Sequence, residues 1–336
     1  MIATISDATH DAQPRERPLV TIAIPLLNEA RLLPGLLDAL RAQTWPREAM
    51  QVIFVDGGST DGTRAIARAA LADFPRALLL ENPDRLAATG LNRALARARG
   101  DFFLRLDARS RPDHDYVERC VAHLETGACA GVAGPQVAVG LSDAGRAIAL
   151  ALNHPLGAGG PSYRRAQTLT ESDTLYLGAY PTAQLQAVGG WDAAFDANED
   201  YELNLRLREA GGRLWVAPDI RVAYVARDSL RGLARQYARY GAWRVITRRK
   251  HPRAMRLRHL APAVWSGALA LSLLALPLTP WPLAVMLLPY LLAITLTTLR
   301  LSAIHGWRRF PWVWLAFPTM HLAWAAGFWR RALFRK

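Results

Sequence analysis

The stretch MQVIFVDGGSTDGT (50–63) decides the fold. A short apolar run, rich in β-branched and aromatic side chains, ends on one acid, Asp56, and opens at once into Gly57 and Gly58. A run that short, closed by a Gly-rich turn, is a buried strand. TRAIARAALADF (63–74) then carries apolar positions at helical spacing. The same order repeats on both sides. VTIAIPLLNE (20–29) is a strand, with ARLLPGLLDALRAQ (30–43) as its helix. RALLLENP (76–83) is a third strand, and AATGLNRALARARG (87–100) a helix with Gly100 at the C-cap position. DFFLRLDA (101–108) is a fourth strand. Strand–helix alternation requires crossover connections, so the fold class is α/β: a Rossmann-like, mainly parallel sheet with helices on both faces.

In such sheets ligands bind outside the carboxyl ends of the strands. Asn28, Glu29, Asp56, Asn82 and Asp107 end these strands and should face one crevice. A Gly-x-Gly-x-x-Gly turn after the first strand is missing, which argues against a nicotinamide enzyme. Asp56 is placed to accept hydrogen bonds from a base or ribose, although a plain Asp-Gly turn has the same sequence.

RLDARSRP (105–112) raises a sharper question, because three arginines crowd Asp107. A carboxylate at a strand end beside a nucleotide crevice is where a divalent ion bridging two phosphates would sit. The neighbouring acid that would complete a pair is replaced by Arg109, which cannot ligate a cation but can meet a phosphate or acceptor. A surface acid in a basic patch is the plainer reading. In ANEDYELNLRLREAGG (197–212), Glu199 and Asp200 begin a helix ended by Gly211, where the dipole favours ionised carboxylates. They are candidates for a general base or for simple capping. In LARQYARYGAWR (233–244), Gln236, Arg239 and Tyr240 lie on adjoining helix faces. That trio suits a diphosphate and sugar hydroxyls, or belongs to a solvated basic helix.

The 336 residues carry a formal charge of +13, 51% apolar residues and 11 Trp, and the apolar excess piles up after Leu260. The basic residues of RVITRRKHPRAMRLRH (244–259) stand directly before it, a pattern of a cytoplasmic membrane surface. No nucleic-acid motif is visible, so the charge points to phosphorylated ligands and an acidic membrane face. APAVWSGALALSLLAL (261–276) and PWPLAVMLLPYLLAITLTTL (280–299) form an apolar hairpin with both ends cytoplasmic, because Arg300, Arg308 and Arg309 follow it. The Trp-rich stretch 310–329 is expected to be interfacial or re-entrant, since a full crossing would put RRALFRK outside. Cys120 and Cys129 lack the spacing of a zinc site or disulfide framework. The expected division is a flexible N-terminus (1–17), a catalytic domain (18–245), a basic juxtamembrane segment (246–260) and a membrane region (261–336).

IPLLNEARLLPGLL, VDGGSTDGT, LDA, NEDYELNLRLREAG and QYARYG, in this order, resemble the family 2 glycosyltransferases of the GT-A fold. They look closest to the membrane-associated succinoglycan-type glucosyltransferases. The resemblance implies inverting transfer of a sugar from a nucleotide-sugar donor, UDP-linked by analogy, to a hydroxyl of a lipid-linked, polyisoprenyl diphosphate acceptor. It assigns Pro25, Glu29, Asp56 and Asn92 to the nucleotide-sugar pocket and Asp107 to Mg²⁺ or Mn²⁺ at the diphosphate. Asp200 becomes the base. Glu199, Arg109, Gln236, Arg239 and Tyr240 go to acceptor and diphosphate, Tyr240 replacing the Trp of the family's Gln-x-x-Arg-Trp signature. The implied location is the cytoplasmic membrane, with the catalytic domain on the cytoplasmic side and no nucleic-acid partner. The rivals are a membrane-anchored nucleotide-sugar binder without transfer activity and a nucleotidyltransferase; the latter lacks its Gly-rich loop and Lys near the first strand.

Overall fold

The computed structural model describes residues 17–158, 164, 166–252 and 260–334. The N-terminal lead-in up to residue 16 and residues 253–259 of the basic segment lie outside the described residues. The chain begins with β1 (Val20–Leu26), α1 (Leu33–Arg41), β2 (Met50–Asp56), α2 (Thr63–Ala69), β3 (Leu78–Glu81), α3 (Ala87–Leu95) and β4 (Phe102–Arg105). It continues through β5 (Ser110–Pro112), α4 (Tyr116–Glu125), β6 (Gly131–Ala133), β7 (Gln136–Val139), α5 (Asp143–Asn153) and α6 (Pro155–Ala158). Next come β8 (Thr170–Glu171), β9 (Ala179–Pro181), α7 (Thr182–Ala187), α8 (Glu199–Glu209), β10 (Leu214–Val216) and β11 (Val222–Val225). The long helices α9 (Leu230–Lys250), α10 (Ala261–Leu274), α11 (Trp281–His305) and α12 (Phe310–Leu333) end it.

The main sheet has the order β3-β2-β1-β4-β9-β6-β10-β8. Its first four strands are parallel, as the strand–helix alternation requires. β9 runs antiparallel to both β4 and β6, and β8 antiparallel to β10, so the far half is mixed. β1 and β2 read as unbroken apolar runs because helices cover both faces. Leu33, Leu36 and Leu40 of α1 pack with Val117 and Val121 of α4 on one side. Leu91 and Ala94 of α3 pack with Leu203 and Leu207 of α8 on the other. A second sheet, β5-β11-β7, folds out from the turn after β4.

Gly100 is not a C-cap. The helix ends at Leu95, and a Cβ on Gly100 would sit 2.5 Å from the Thr21 nitrogen. The residue must be Gly because the chain entering β4 passes against the backbone of β1.

α12 lies along α9 with backbone nearly touching backbone. A Cβ at Gly241 would fall 1.9 Å from the Trp324 carbonyl oxygen, and one at Gly327 would fall 1.9 Å from that of Ala238. Val313, Phe317 and Met320 of α12 are fully buried against Ile148 and Leu152 of α5. Gly327→Ala is expected to force the two helices apart and to cost about 1–3 kcal/mol, as overpacking does. Thermal unfolding in detergent checks this, and an unchanged midpoint would show that the helices separate freely.

α11 has an 18-residue window of mean hydropathy 1.9 that is only 11% buried; among the described residues it is the one helix long and apolar enough to cross a membrane. Its 25 residues span about 37 Å at 1.5 Å per residue. The 14 residues of α10 reach about 21 Å, short of a bilayer core of about 30 Å.

Candidate active site

The carboxyl ends of β1, β2 and β4 open into a cavity of about 910 Å³ that extends to the first turn of α10 and to α12. Two loops shape one edge of it. After β1, Asn28 takes a left-handed backbone (φ 54°), and its Oδ1 accepts from the Thr60 N–H at 2.8 Å. The Glu29 N–H donates to Thr63 Oγ1 (2.8 Å) and the Ala30 N–H to Asp61 Oδ2 (3.1 Å). The loop after β1 is thereby tied to the Gly-rich turn after β2. Asp56 is buried and accepts from the Ser59 N–H. It holds that turn from behind and is not among the residues lining the cavity.

Arg105, the last residue of β4, organises the centre. It is 6% exposed, and its Nε donates to Asp107 Oδ1 at 3.1 Å. Its Nη1 reaches Glu199 Oε1 at 2.8 Å and Asp200 Oδ1 at 2.7 Å. Burial alone would depress the guanidinium, but the charges of Asp107, Asp200 and Glu199 more than offset it and hold the group well above its ordinary range. One permanent cation therefore bridges the strand-end acid and the helix-start acids. Burial pushes the Glu199 carboxyl up, Arg105 opposes the rise and Asp200 adds to it.

Asp200 is aimed by a second donor. The Trp191 indole Nε1 bonds the same Oδ1 at 3.0 Å. Trp191 is itself buried, its ring 5.6 Å from Phe103 and 6.4 Å from Tyr180. Asn92 grips its backbone: Nδ2 donates to the Trp191 carbonyl at 2.6 Å, and Oδ1 accepts from its N–H at 2.8 Å. Asn92 is thus a correction to the sequence reading. It sits on α3 behind the site, outside the cavity lining, with both ends of its amide spent on Trp191. α8 starts after Asn198, held at φ 62°, which puts Glu199 and Asp200 in the first turn, where the dipole favours negative charge.

Pro25, Glu29, Asp107, Arg109, Glu199, Asp200, Gln236, Arg239 and Tyr240 all line the cavity. Arg109 Nε stands 3.5 Å from Glu29 Oε1, close enough for an ion pair though not in hydrogen-bond geometry. Burial raises the Glu29 pKa, against the pull of Arg109 and Arg227. On α9, Gln236 Nε2 donates to the hydroxyls of Tyr240 (2.8 Å) and Tyr224 (3.0 Å), while its Oε1 accepts from Arg227 Nε (3.3 Å). Burial pushes the Tyr240 phenol up to about 12, so it is neutral and available for hydrogen bonding. Arg239 Nη1 stands 3.6 Å from Asp196 Oδ1.

Arg105 and Trp191 were the functional residues that pattern reading passed over. Arg105 had a signal: an arginine inside an otherwise apolar strand is buried only with partners. Trp191 had none, because its bond to Asp200 closes across a loop.

A divalent cation fits this site only as a shared ligand. Asp107 lines the cavity with 28% of its side chain exposed, and no cluster of three or more His, Cys, Asp or Glu side chains able to hold a metal occurs among the described residues. Mg²⁺-type ions are commonly held by one or two carboxylates with substrate phosphates and water completing the shell, and Asp107 offers that one carboxylate.

Residues 21–176 match the family described as "Glycosyl transferase family 2". The chain is 36% identical over 322 residues to the succinoglycan biosynthesis protein ExoA of Rhizobium meliloti (strain 1021), covering 93% of this chain and 94% of that protein. It is 26% identical over 239 residues to the dolichyl N-acetyl-α-D-glucosaminyl phosphate 3-β-D-2,3-diacetamido-2,3-dideoxy-β-D-glucuronosyltransferase of Methanococcus voltae, covering 69% of this chain and 74% of that one. Among solved structures, the mannosyltransferase PcManGT from Pyrobaculum calidifontis, in complex with GDP-Man and Mn²⁺, superposes with a TM-score of 0.61 at 22% identity, covering 96% of this chain and 89% of that one. The shared fold and the near full-length relative place this chain in glycosyltransferase family 2, on a GT-A-type α/β scaffold.

Proposed function

We propose that the protein transfers a sugar from a nucleotide-sugar to a hydroxyl of a lipid-linked saccharide in cell-surface or exopolysaccharide synthesis, with inversion, at the cytoplasmic face of a membrane. The observation that supports this reading is the Arg105 guanidinium, which bonds both Asp107 and Asp200 in one cavity; we assign the first acid to the donor and the second to the acceptor.

The acceptor hydroxyl attacks the anomeric carbon from the face opposite the diphosphate. The bond from that carbon to the diphosphate oxygen breaks as the new C–O bond forms. Asp200 takes the hydroxyl proton, through the oxygen that neither Arg105 nor Trp191 engages. Arg109 and Arg227 offer charge to phosphate oxygens at the cavity wall. Asp107 would hold Mg²⁺ or Mn²⁺, which supplies charge neutralisation at the departing diphosphate. Tyr240, whose hydroxyl accepts from Gln236, offers its phenol proton to the acceptor.

The relatives support the two substrates. ExoA is named for succinoglycan biosynthesis, the Methanococcus enzyme for a dolichyl-linked phosphate acceptor, and PcManGT was captured with GDP-Man and Mn²⁺. The apolar, exposed α11 fits an enzyme whose acceptor stays in a bilayer. Membranes holding the protein should move label from one member of a panel of radiolabelled UDP- and GDP-sugars into the lipid fraction. EDTA should slow this transfer and Mn²⁺ should restore it. Hydrolysis of the donor without lipid label, or no label from any donor, would reject the reading.

A further inference from the structure

Behind the catalytic helix lies a second charged cluster that the mechanism above does not use. Glu202, on α8 two residues beyond Asp200, is fully buried. Its Oε1 accepts from Arg206 Nε (3.0 Å), Lys250 Nζ (2.6 Å) and His251 Nε2 (3.1 Å); its Oε2 accepts from Arg206 Nε (2.9 Å) and Nη2 (2.7 Å). A buried carboxylate survives only when paired, and here it is paired from two directions. Burial disfavours its charge, but the bonds from Arg206 and Lys250 outweigh this and lower its pKa.

The partners matter more than the charge. Lys250, the last residue of α9, also bonds Asp192 Oδ2 at 2.5 Å. Asp192 is the residue after Trp191. Arg206 donates to the carbonyls of Val188 (2.6 Å) and Gly190 (2.7 Å), immediately before Trp191. The two cations therefore hold the chain on both sides of Trp191 and the helix beyond Asp200. Between those points runs the indole bond that aims the carboxylate.

We propose that Glu202 and Lys250 are positioning residues for sugar transfer: they clamp the Trp191 loop and α8 to the end of α9, and so fix the direction in which Asp200 presents its free oxygen. This rests on the reading of Asp200 as the base. Lys250 is the sensitive member, because this single ammonium bonds both Asp192 of the loop and Glu202 of the helix, whereas Arg239–Asp196 and Arg244–Tyr201 tie α9 to the loop and to the helix separately; α9 ends at Lys250, one residue before His251. A small change in the aim of a reacting group costs rate without costing substrate affinity.

The test uses the full chain in membranes, with whichever donor of the UDP- and GDP-sugar panel labels lipid. Lys250→Met is expected to lower kcat by about 10-fold to 100-fold while the donor KM stays within about twofold, because only aim is lost. Lys250→Arg, which keeps the charge and can reach both carboxylates, should recover most of that kcat. Glu202→Gln should follow Lys250→Met in the kcat and KM split, and Arg208→Met, an exposed change on α8, should leave both constants alone. In hydrogen exchange, residues 190–204 should lose protection in Lys250→Met and regain it in Lys250→Arg. A Lys250→Met enzyme with wild-type kcat, or one whose lost kcat the arginine does not restore, overturns the proposal even if Asp200→Asn is inactive. A fully active Asp200→Asn enzyme instead overturns the base on which it rests.

Discussion

Asp200→Asn is expected to abolish transfer and leave donor binding intact. The asparagine keeps the shape of the side chain and can still accept from Arg105 and Trp191 through its amide oxygen, so the geometry of α8 is preserved. What disappears is the basic oxygen. Loss of a general base typically costs about 10²–10⁴-fold in rate. The effect should fall on kcat, because in the proposed mechanism the carboxylate serves the acceptor proton and not the nucleotide; donor KM should stay within about twofold. Glu199→Gln is the informative companion. Glu199 shares the Arg105 Nη1, and burial raises its pKa. Turnover near wild type in Asp200→Asn, with collapse in Glu199→Gln, would exchange their roles.

Arg105→Met is expected to damage both stability and turnover more than any other single change in the cavity. The substitution keeps an unbranched, apolar stem in β4 and removes the cation that three carboxylates share. Uncompensated charge in a buried site costs about 3–5 kcal/mol. The pH dependence has a definite sign. Without the guanidinium the three carboxylates repel one another, and the Glu199 carboxyl, already pushed up by burial, loses the charge that opposes the rise. Stability from such groups is fully present below the unfolded pKa and lost as pH rises through the folded pKa. The melting-point deficit relative to wild type should therefore be smaller near about pH 5 than near about pH 8. A deficit that is the same at both would mean that other groups carry the counter-charge.

The amino-terminal half was legible because its signals are local. The runs at Val20, Met50 and Phe102 are short, apolar strands buried under helices, with Leu78–Glu81 as the more exposed edge strand, and a parallel sheet then sends Glu29 and Asp107 to one edge. Asn92 was assigned by resemblance alone, and nothing local in α3 says which neighbour its amide meets. Its actual partner, Trp191, is 99 residues away along the chain. Arg105 stood in plain view beside Asp107, yet its charge suggested solvent; only the return of α8 to the same corner supplies the two further acids. Residues 310–329 show the other limit. Hydropathy scores a side chain as apolar whether lipid or another helix covers it, and on α12 Phe317 and Met320 are covered by the protein itself.

The seating of α12 on α9 also makes one wall of the cavity depend on a distant part of the chain. α9 supplies Gln236, Arg239 and Tyr240 to that wall, and its far face, at Ala238 and Gly241, is covered by α12 at Trp324 and Gly327. A variant lacking α12 (Phe310–Leu333) is expected to keep the β-sheet and lose the order of that wall, so that far-ultraviolet circular dichroism survives while turnover does not.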